Sequence, residues 1–389
     1  MNIHILLVPS WYAKYQGDTS GSFFHDQAVA LAEQGVRVGV IFPVIQYTGK
    51  VKHLVPSRGP LEVIETEGVV LLRQTIRCAF RVSSGRHAAR VREYGLELYE
   101  SYKSRYGKPQ IIHVHSALYA GGVALAVLEA DGVPYVLTEH SSAYLRNRLN
   151  KTKRTLAKKV VDRSCANLCV SSSFKVTLEH CFPGTRWSVV PNVLDKRFLR
   201  ERLADVKQRG TVQFLTVCYF HPNKALDHLV ASFASVVQSC PQARLTLGGD
   251  GALRPQLEAL VNELGIEPYV TFTGSLSRNA VLEYMAQCDV FVLSSQVETF
   301  GVVLIEALAL GKPVIATRSG GPEDIVNSSN GLLVPVGDHQ ALAQAMVTMI
   351  NTRHHYAAET LRNDCLQQYG PSAIAQQLLE VYQAALIGR

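Results

Sequence analysis

Apolar strand-like runs alternate with helix-like stretches along this chain, and near its middle the whole series starts again. Residues 3–8 and 36–42 read as strands around a helix-period stretch, which runs from the Gly21-Ser22-Phe23-Phe24 turn to Gln34 and ends at Gly35. Strand candidates 111–115 and 135–138 flank a helix at 121–131, and 168–171 and 187–190 read as later strands of the same sheet. The second series has strands at 213–218, 244–248, 269–273, 290–293, 313–316 and 331–334, with helices at 226–239 and 254–264 between the first three. Strand–helix–strand alternation with short Gly-marked turns predicts parallel, doubly wound α/β sheets. Two such series in 389 residues predict two domains, each of roughly 190 residues with its own core. The expected boundaries are 1–195 for an N-terminal Rossmann-like domain, a polar hinge at 196–211, and 212–370 for a C-terminal Rossmann-like domain. An amphipathic helix at 371–389 is free to pack back on the N-terminal domain. Ligands in open sheets of this kind sit at the carboxyl ends of the strands, so two facing domains are expected to share one cleft.

Composition narrows the class. Hydrophobic residues make up 47% and charged residues 18%, which is ample core material and excludes a mainly disordered chain. No apolar run reaches the roughly 18 residues of a membrane-spanning helix. The first ten residues lack a basic leader and read as a buried strand, so no secretion signal is expected. Eight cysteines without a C-x-x-C pair fit neither a disulfide framework nor a zinc pattern, and point to reduced thiols in a cytoplasm. The net charge of +7 is uneven: 24 basic and 15 acidic residues lie between Met1 and Asp195, against 15 and 17 in the remainder. Two runs concentrate the excess, six arginines without an acid at 73–92 and eight basic residues broken only by Asp162 at 146–163. Such a run is either a solvated helix face or a surface for anions. Nucleic acid is not an expected partner, because recognition-helix, zinc-finger and RNP-like signatures and interleaved aromatics are all missing. An anionic membrane surface is the better match.

The densest chemical signal is Ser294-Ser295-Gln296-Val297-Glu298-Thr299-Phe300-Gly301, followed by an apolar helical stretch from Val302 to Leu310. It follows a strand directly, so it lies at a strand's carboxyl end. The amides of a first helical turn, together with the positive end of the helix dipole, bind phosphate, and Gly301 lets a phosphate approach closely. Carboxylates repel phosphates, so Glu298 and Glu306 are better suited to hydroxyls, one set on a sugar and the other on a ribose. That is the chemistry of a nucleotide sugar. Two glutamates eight residues apart are commonly ordinary helix-surface residues. The apolar run through Val302, Val303, Ile305 and Ala307 places Glu306 on a mostly buried helix, where a carboxylate needs a partner.

These residues carry a family resemblance. Glu298 to Glu306 resembles the E-x(7)-E motif of retaining glycosyltransferases of family 4, which have the GT-B fold. The segment Ala307-Leu308-Ala309-Leu310-Gly311-Lys312-Pro313, then Gly320-Gly321-Pro322-Glu323 and Gly331-Leu332-Leu333-Val334, continue the likeness. In the first half, Gly21-Ser22-Phe23 resembles the N-terminal glycine loop, and Val170-Ser171-Ser172-Ser173 and Val190-Pro191-Asn192 resemble further landmarks. The resemblance implies an acceptor-binding N-terminal domain and a nucleotide-sugar-binding C-terminal domain. It implies that Glu298 contacts the donor sugar and Glu306 the ribose, and that Thr299, Phe300, Gly301 and Val302 offer backbone donors to the sugar and diphosphate. The family lysine that neutralises the diphosphate matches Lys224. Its arginine partner is replaced by Tyr219, and the preceding glycine by Cys218, so one of two cationic clamps is missing. Gly249 resembles the loop after the second strand, and Ser275 and Leu276 the loop that brackets the base. Gly21 and Ser22 fall in the glycine loop. His115 resembles the family residue beside the reacting carbon, with His113 a weaker candidate and Thr138-Glu139-His140 a candidate acceptor lining.

The implied reaction moves a sugar from a nucleotide-diphosphate donor to an acceptor hydroxyl with retention of configuration. Stabilising the departing diphosphate should dominate catalysis, with His115, Lys224 and Glu298 as the catalytic residues. No D-x-D triplet occurs. Lys224 and the helix start would take that task, so neither a metal nor a cofactor is expected. The basic first half suggests a glycan or lipid-linked acceptor of cell-surface glycan synthesis, with the enzyme cytoplasmic and peripheral on the inner membrane face. Two rival readings are a nucleotide-sugar-binding protein that has lost catalysis and a GT-B sugar-nucleotide epimerase.

Overall fold

The computed structural model of the chain describes residues 3–15, 18, 20–201 and 210–387. Most of the expected hinge, residues 202–209, lies outside them. The chain divides into two compact units, Met1–Val193 with Pro371–Arg389, and Leu194–Gly370.

Among the described residues the first unit holds eight strands: β1 (His4–Pro9), β2 (Arg37–Tyr47), β3 (Ser57–Thr66), β4 (Val69–Cys78), β5 (Ile111–His115), β6 (Tyr135–Glu139), β7 (Ala166–Cys169) and β8 (Trp187–Val189). They form one sheet in the order β3-β4-β2-β1-β5-β6-β7-β8. All neighbours are parallel except β3, which runs antiparallel to β4. The buried runs of β1 and β5, inside on both faces, are what a covered parallel sheet requires.

The β3–β4 hairpin is absent from the expected strand series. Its two-residue turn, Glu67-Gly68, has positive φ at both positions (54° and 79°), the geometry that matches strand twist in a tight hairpin. The edge strand β3 is largely exposed and contains Gly59 and Pro60, so it carries little apolar periodicity. Inside β4, Arg73 is buried. Its guanidinium donates to Glu62 Oε2 at 3.2 and 2.5 Å and to the Ala13 carbonyl at 2.7 Å. The first arginine of the 73–92 run is thereby neutralised in the interior and adds nothing to a surface patch.

The last helix, Pro371–Ile387, packs on the helix Ser22–Glu33 and places Ile374, Ala375, Leu378 and Tyr382 in the first unit's core. Tyr382 is fully buried, and its hydroxyl meets His113 Nδ1 at 2.7 Å.

The second unit has six parallel strands among its described residues: β9 (Val212–Val217), β10 (Ala243–Gly248), β11 (Val270–Gly274), β12 (Val290–Leu293), β13 (Val314–Thr317) and β14 (Gly331–Val334). Their order, β11-β10-β9-β12-β13-β14, is the doubly wound arrangement, with the direction of winding reversing between β9 and β12. In the first unit the corresponding reversal lies between β1 and β5, where Pro9 pairs with His115. No helix among the described residues is long and apolar enough to cross a membrane.

Tyr382 supplies a test of the C-terminal helix as part of the first core. Tyr382→Phe removes one buried hydrogen bond and should cost about 1 kcal/mol. Tyr382→Ala also leaves a cavity and should cost about 3–5 kcal/mol. Denaturant titration should give that ranking; equal effects would mean that the ring contributes nothing, and an unchanged stability in Tyr382→Phe that the hydroxyl contributes nothing.

Candidate active site

In the second unit two loops leave the carboxyl ends of β9 and β12, on either side of the reversal point. The first, Cys218 to Ala225, is pinned at its start. Cys218 and Phe220 donate their N–H groups to the carbonyls of Gly248 and Asp250 at 3.0 and 2.9 Å, and the Phe220 ring is buried. That anchoring turns Tyr219 outward, and it is 67% exposed. Gly249 is required here by close approach: a Cβ on it would lie 1.9 Å from the Cys218 carbonyl oxygen. Burial pushes the Cys218 thiol up to about 12, opposed by the Lys224 charge and reinforced by that of Glu298, so it stays neutral.

The second loop, residues 294–301, is stitched to the first. Gln296 N donates to the Asn223 carbonyl at 2.8 Å, Asn223 Nδ2 to the Val297 carbonyl at 2.7 Å, and Ser294 Oγ to the Lys224 carbonyl at 2.9 Å. The outcome is an ion pair in which Lys224 Nζ donates to Glu298 Oε1. Ser295 Oγ donates to the same oxygen at 2.7 Å, and Thr317 Oγ1 holds the Ser295 carbonyl at 2.5 Å. Both side chains of the pair are mostly shielded from solvent.

A third segment fixes the carboxylate's backbone. Glu298 N donates to the Ser319 carbonyl at 2.8 Å, and Gly321 N to the Glu298 carbonyl at 2.9 Å. A Cβ on Gly321 would lie 2.3 Å from Phe300 Cα and 2.4 Å from Phe300 N, so only glycine allows this approach. Phe300 is buried beneath the turn. Gly301 caps the helix Val302–Ala309 in the left-handed region, and the helix N-terminus, its positive end, follows directly. Glu306 is half-buried on this helix and Thr299 half-buried before it. Ser275 is exposed and Leu276 half-buried after β11.

The structure thus brings Lys224, Glu298, the Gly301 helix start and Tyr219 to one end of one sheet. Sequence reasoning missed Asn223, Ser294, Ser295 and Thr317. The adjacent serines at a strand end were visible, but no spacing marked them as partners of Glu298.

In the first unit, Gly21 caps the helix Ser22–Glu33 in the left-handed conformation, and Ser22 is its half-buried first residue. His113, His115 and His140 are all buried. His115 Nδ1 lies 3.1 Å from His140 Nε2, His113 Nε2 lies 2.7 Å from Thr138 Oγ1, and the Phe24 ring packs 4.5 Å from His115. Burial holds His113 and His140 down at about 3 and His115 well below its usual value, with the neighbouring imidazoles adding to the shift of His115 and His113 to that of His140. All three are neutral near pH 7. Glu139, also buried, accepts N–H bonds from Ala117, His140 and Ser141 at 2.9 Å each. Those bonds anchor the turn after β5, where Ser116 and Tyr119 have φ of 66° and 75°.

A family model for Glycosyltransferase Family 4 matches residues 20–198, and one for Glycosyl transferases group 1 matches residues 211–352. The chain belongs to these glycosyltransferases. N-acetyl-alpha-D-glucosaminyl L-malate synthase of Bacillus anthracis is 29% identical over 288 residues, covering 71% of this chain and 75% of the relative. The putative teichuronic acid biosynthesis glycosyltransferase TuaC of Bacillus subtilis is 27% identical over 394 residues, covering 98% and 94%. The structure of HepE from Anabaena in complex with UDP and glucose is 21% identical and matches with a TM-score of 0.72 over 98% of this chain and 100% of that one. The two Rossmann-like units are those of the GT-B glycosyltransferases.

Two consequences of the geometry are measurable in this glycosyltransferase. Gly321→Ala must displace Phe300 backbone and should cost about 2–4 kcal/mol, with Glu298 moved along with it; an unchanged Tm would show that the approach is not needed. The three histidines bind protons in the unfolded chain but not in the folded one, so their contribution is intact above about pH 6.5 and falls as pH drops towards about 3. Each adds a slope of up to about 1.4 kcal/mol per pH unit. Melting between pH 7 and 5 should therefore show a steep loss of stability, and His140→Gln should make that loss shallower.

Proposed function

We propose that this glycosyltransferase moves a sugar from a nucleotide-diphosphate sugar to an acceptor hydroxyl with retention of configuration. The observation that carries the reading is the meeting of Lys224 and Glu298 at the strand-order reversal of the second sheet, beside a helix N-terminus. There a diphosphate takes the cation and the helix-start amides from Thr299 to Val302, while Glu298 is released to the sugar hydroxyls and Glu306 serves the ribose. Gly249, Ser275 and Leu276 border the base, and Tyr219 gives one neutral hydrogen bond where the family has a cation. The roles assigned to Gly21, Ser22 and His115 in donor binding stand as part of the same proposal. The neutral state of His115 suits a hydrogen-bonding group rather than a charged acid. Lys224 and the amides stabilise charge on the leaving diphosphate as the bond to the sugar breaks, so the reaction as proposed needs no metal and should persist in EDTA.

HepE is described in complex with UDP and glucose, which supports a nucleotide-sugar donor here. TuaC is described as acting in teichuronic acid biosynthesis, which supports a polysaccharide or lipid-linked acceptor of cell-surface glycan synthesis. The positive balance of the first half supports peripheral association with an anionic membrane surface on the cytoplasmic side. A second reading, donor binding without turnover, rests on the exposed Tyr219 at the clamp position.

The test is a thermal-shift panel of nucleotide sugars, followed by mass spectrometry of transfer products with the best donor. Glu298→Ala should lower transfer about 100-fold or more and also lower Tm, because Lys224 loses its partner, and Lys224→Ala should weaken nucleotide-diphosphate binding. Tyr219→Arg should raise transfer several-fold by restoring a charge-assisted bond. Full activity in Glu298→Ala overturns the assignment, whereas donor binding with no product in either the wild type or Tyr219→Arg favours the second reading.

A further inference from the structure

Beyond the carboxyl end of β2 the chain turns through residues 48–56 before it enters β3, and this turn is firmly tied to the end of β4. Thr48 N donates to the Cys78 carbonyl at 2.9 Å, Gly49 N to that of Ala79 at 2.7 Å, and Ala79 N to that of His53 at 2.9 Å. Thr48 Oγ1 meets His53 Nδ1 at 2.7 Å. An ordered loop of this kind would be expected to turn its apolar side chains inward. Instead Val51, Leu54, Val55 and Phe80 are 67%, 62%, 80% and 55% exposed. Next to them a cavity of about 350 Å³ is lined by Gln46, Thr48, Lys50, Lys52, His53 and Arg77.

The charge around this cavity has one sign. The sequence holds no acidic residue from Gln34 to Leu61 or from Gly68 to Arg92, and among the described residues Lys50, Lys52 and Arg77 enter no ion pair. Arg73, four residues before Arg77, is the contrast, since it is buried against Glu62. Burial and then the charges of Lys52, Arg77 and Lys50 hold His53 below its usual value. A cationic cavity bordered by exposed apolar side chains matches one kind of surface. Anionic headgroups meet the cations, and apolar side chains enter the headgroup–acyl boundary beside them. A free phosphate would use the cavity and leave the apolar rim in water. A protein partner would have to bring both carboxylates and an apolar groove.

We propose that the 48–56 turn with Arg77 and Phe80 is the membrane-docking site of this protein. Lys50, Lys52 and Arg77 hold the phosphate of an anionic phospholipid, and Val51, Leu54, Val55 and Phe80 seat in the interface. The inference rests on the peripheral association proposed above and gives it a location different from the basic helix Lys151–Arg163, whose apolar residues Ala157, Val160 and Val161 face inward.

The experiment is co-sedimentation of the full chain with vesicles of phosphatidylcholine, with and without 30% phosphatidylglycerol. Wild type should pellet only with the anionic vesicles, and less as salt rises. Lys50→Ala/Lys52→Ala should weaken binding roughly 30-fold, and Leu54→Ser/Val55→Ser roughly tenfold. All four side chains are exposed, so the variants should melt as wild type does. Lys158→Glu/Lys159→Glu on the other basic run should bind as wild type. Emission of a Val55→Trp variant should shift to the blue on vesicles and be quenched by brominated lipid, which a purely electrostatic contact would not produce. Anionic-vesicle binding that survives both loop variants, or is lost with Lys158→Glu/Lys159→Glu, overturns the site while leaving peripheral association standing. No binding of wild type to either vesicle overturns both. Inorganic phosphate that competes fully with vesicles while Val55→Trp emission stays unchanged would make the cavity a phosphate site and overturn membrane docking.

Discussion

The candidate site depends on β9 and β12 lying side by side. In a doubly wound sheet the chain works outward from the first strand to one edge and then returns to that strand's other side. The loops leaving the two central strands consequently diverge and leave a crevice between them. Here those loops do not stay apart. Asn223 and Ser294 tie them together from both directions, and the ties bring Lys224 and Ser295 onto one oxygen of Glu298, 74 residues from the lysine. An exposed ion pair of this kind contributes little. This pair is mostly shielded and shares its acceptor with a buried hydroxyl, so removing either charge leaves the other without compensation. In the proposed reading these backbone ties hold the two loops in place before a donor binds, although the ion pair itself must open.

The first unit applies the same sheet geometry with the opposite electrostatics. The crossing from β1 to β5 also lies at the reversal of strand order, but the side chains gathered there are neutral imidazoles among aromatic rings. Their neutrality follows from burial, and a buried imidazolium would be costly. The one carboxylate in the cluster, Glu139, spends its oxygens on backbone amides. It therefore holds the strained Ser116–Tyr119 turn in place, which accounts for its burial.

Most strands with continuous buried runs were visible in the sequence to within one or two residues, because a covered parallel sheet writes its burial into a run of apolar residues; β2 runs on to Tyr47, five residues past its expected end, and the long helices Ser84–Tyr106 and His339–Thr352 were not in the expected series. Strand–helix alternation accounts for every strand of the second unit but not of the first. In the first, the β3–β4 hairpin carries polar and cationic residues on an edge, so hydrophobic periodicity has little to report there. At the site, Glu298 and Gly301 were legible from a polar turn that joins a strand end to an apolar helix, and Lys224 only from the family resemblance. Gly321 was noted only as part of a likeness, and its reason is that a Cβ there would lie 2.3 Å from Phe300 Cα, a closeness between loops that no local pattern encodes. Ser295 and Asn223 were not found for the same reason: they act on residues far from them in sequence, or through a hydroxyl whose direction the sequence does not give.

Linear charge was the least reliable guide to surface chemistry. The run at 73–92 looks uniform in sequence, yet its first arginine is paired in the interior and its second lines a cavity. The strand pleat and the hairpin partner decide between those fates, and neither is a property of charge. On the helix Lys151–Arg163 the cations are spread over a solvated face, partly paired with Asp162, with the apolar stripe turned inward. A solvated cationic face attracts anions of any kind and loses them as salt rises. Cations acquire selectivity for a bilayer when exposed apolar side chains stand beside them, because the apolar contribution is not screened by salt and has no counterpart in a dissolved anion. Among the basic segments described, the turn before β3 has that combination, although it holds fewer charges than either run that dominates the sequence.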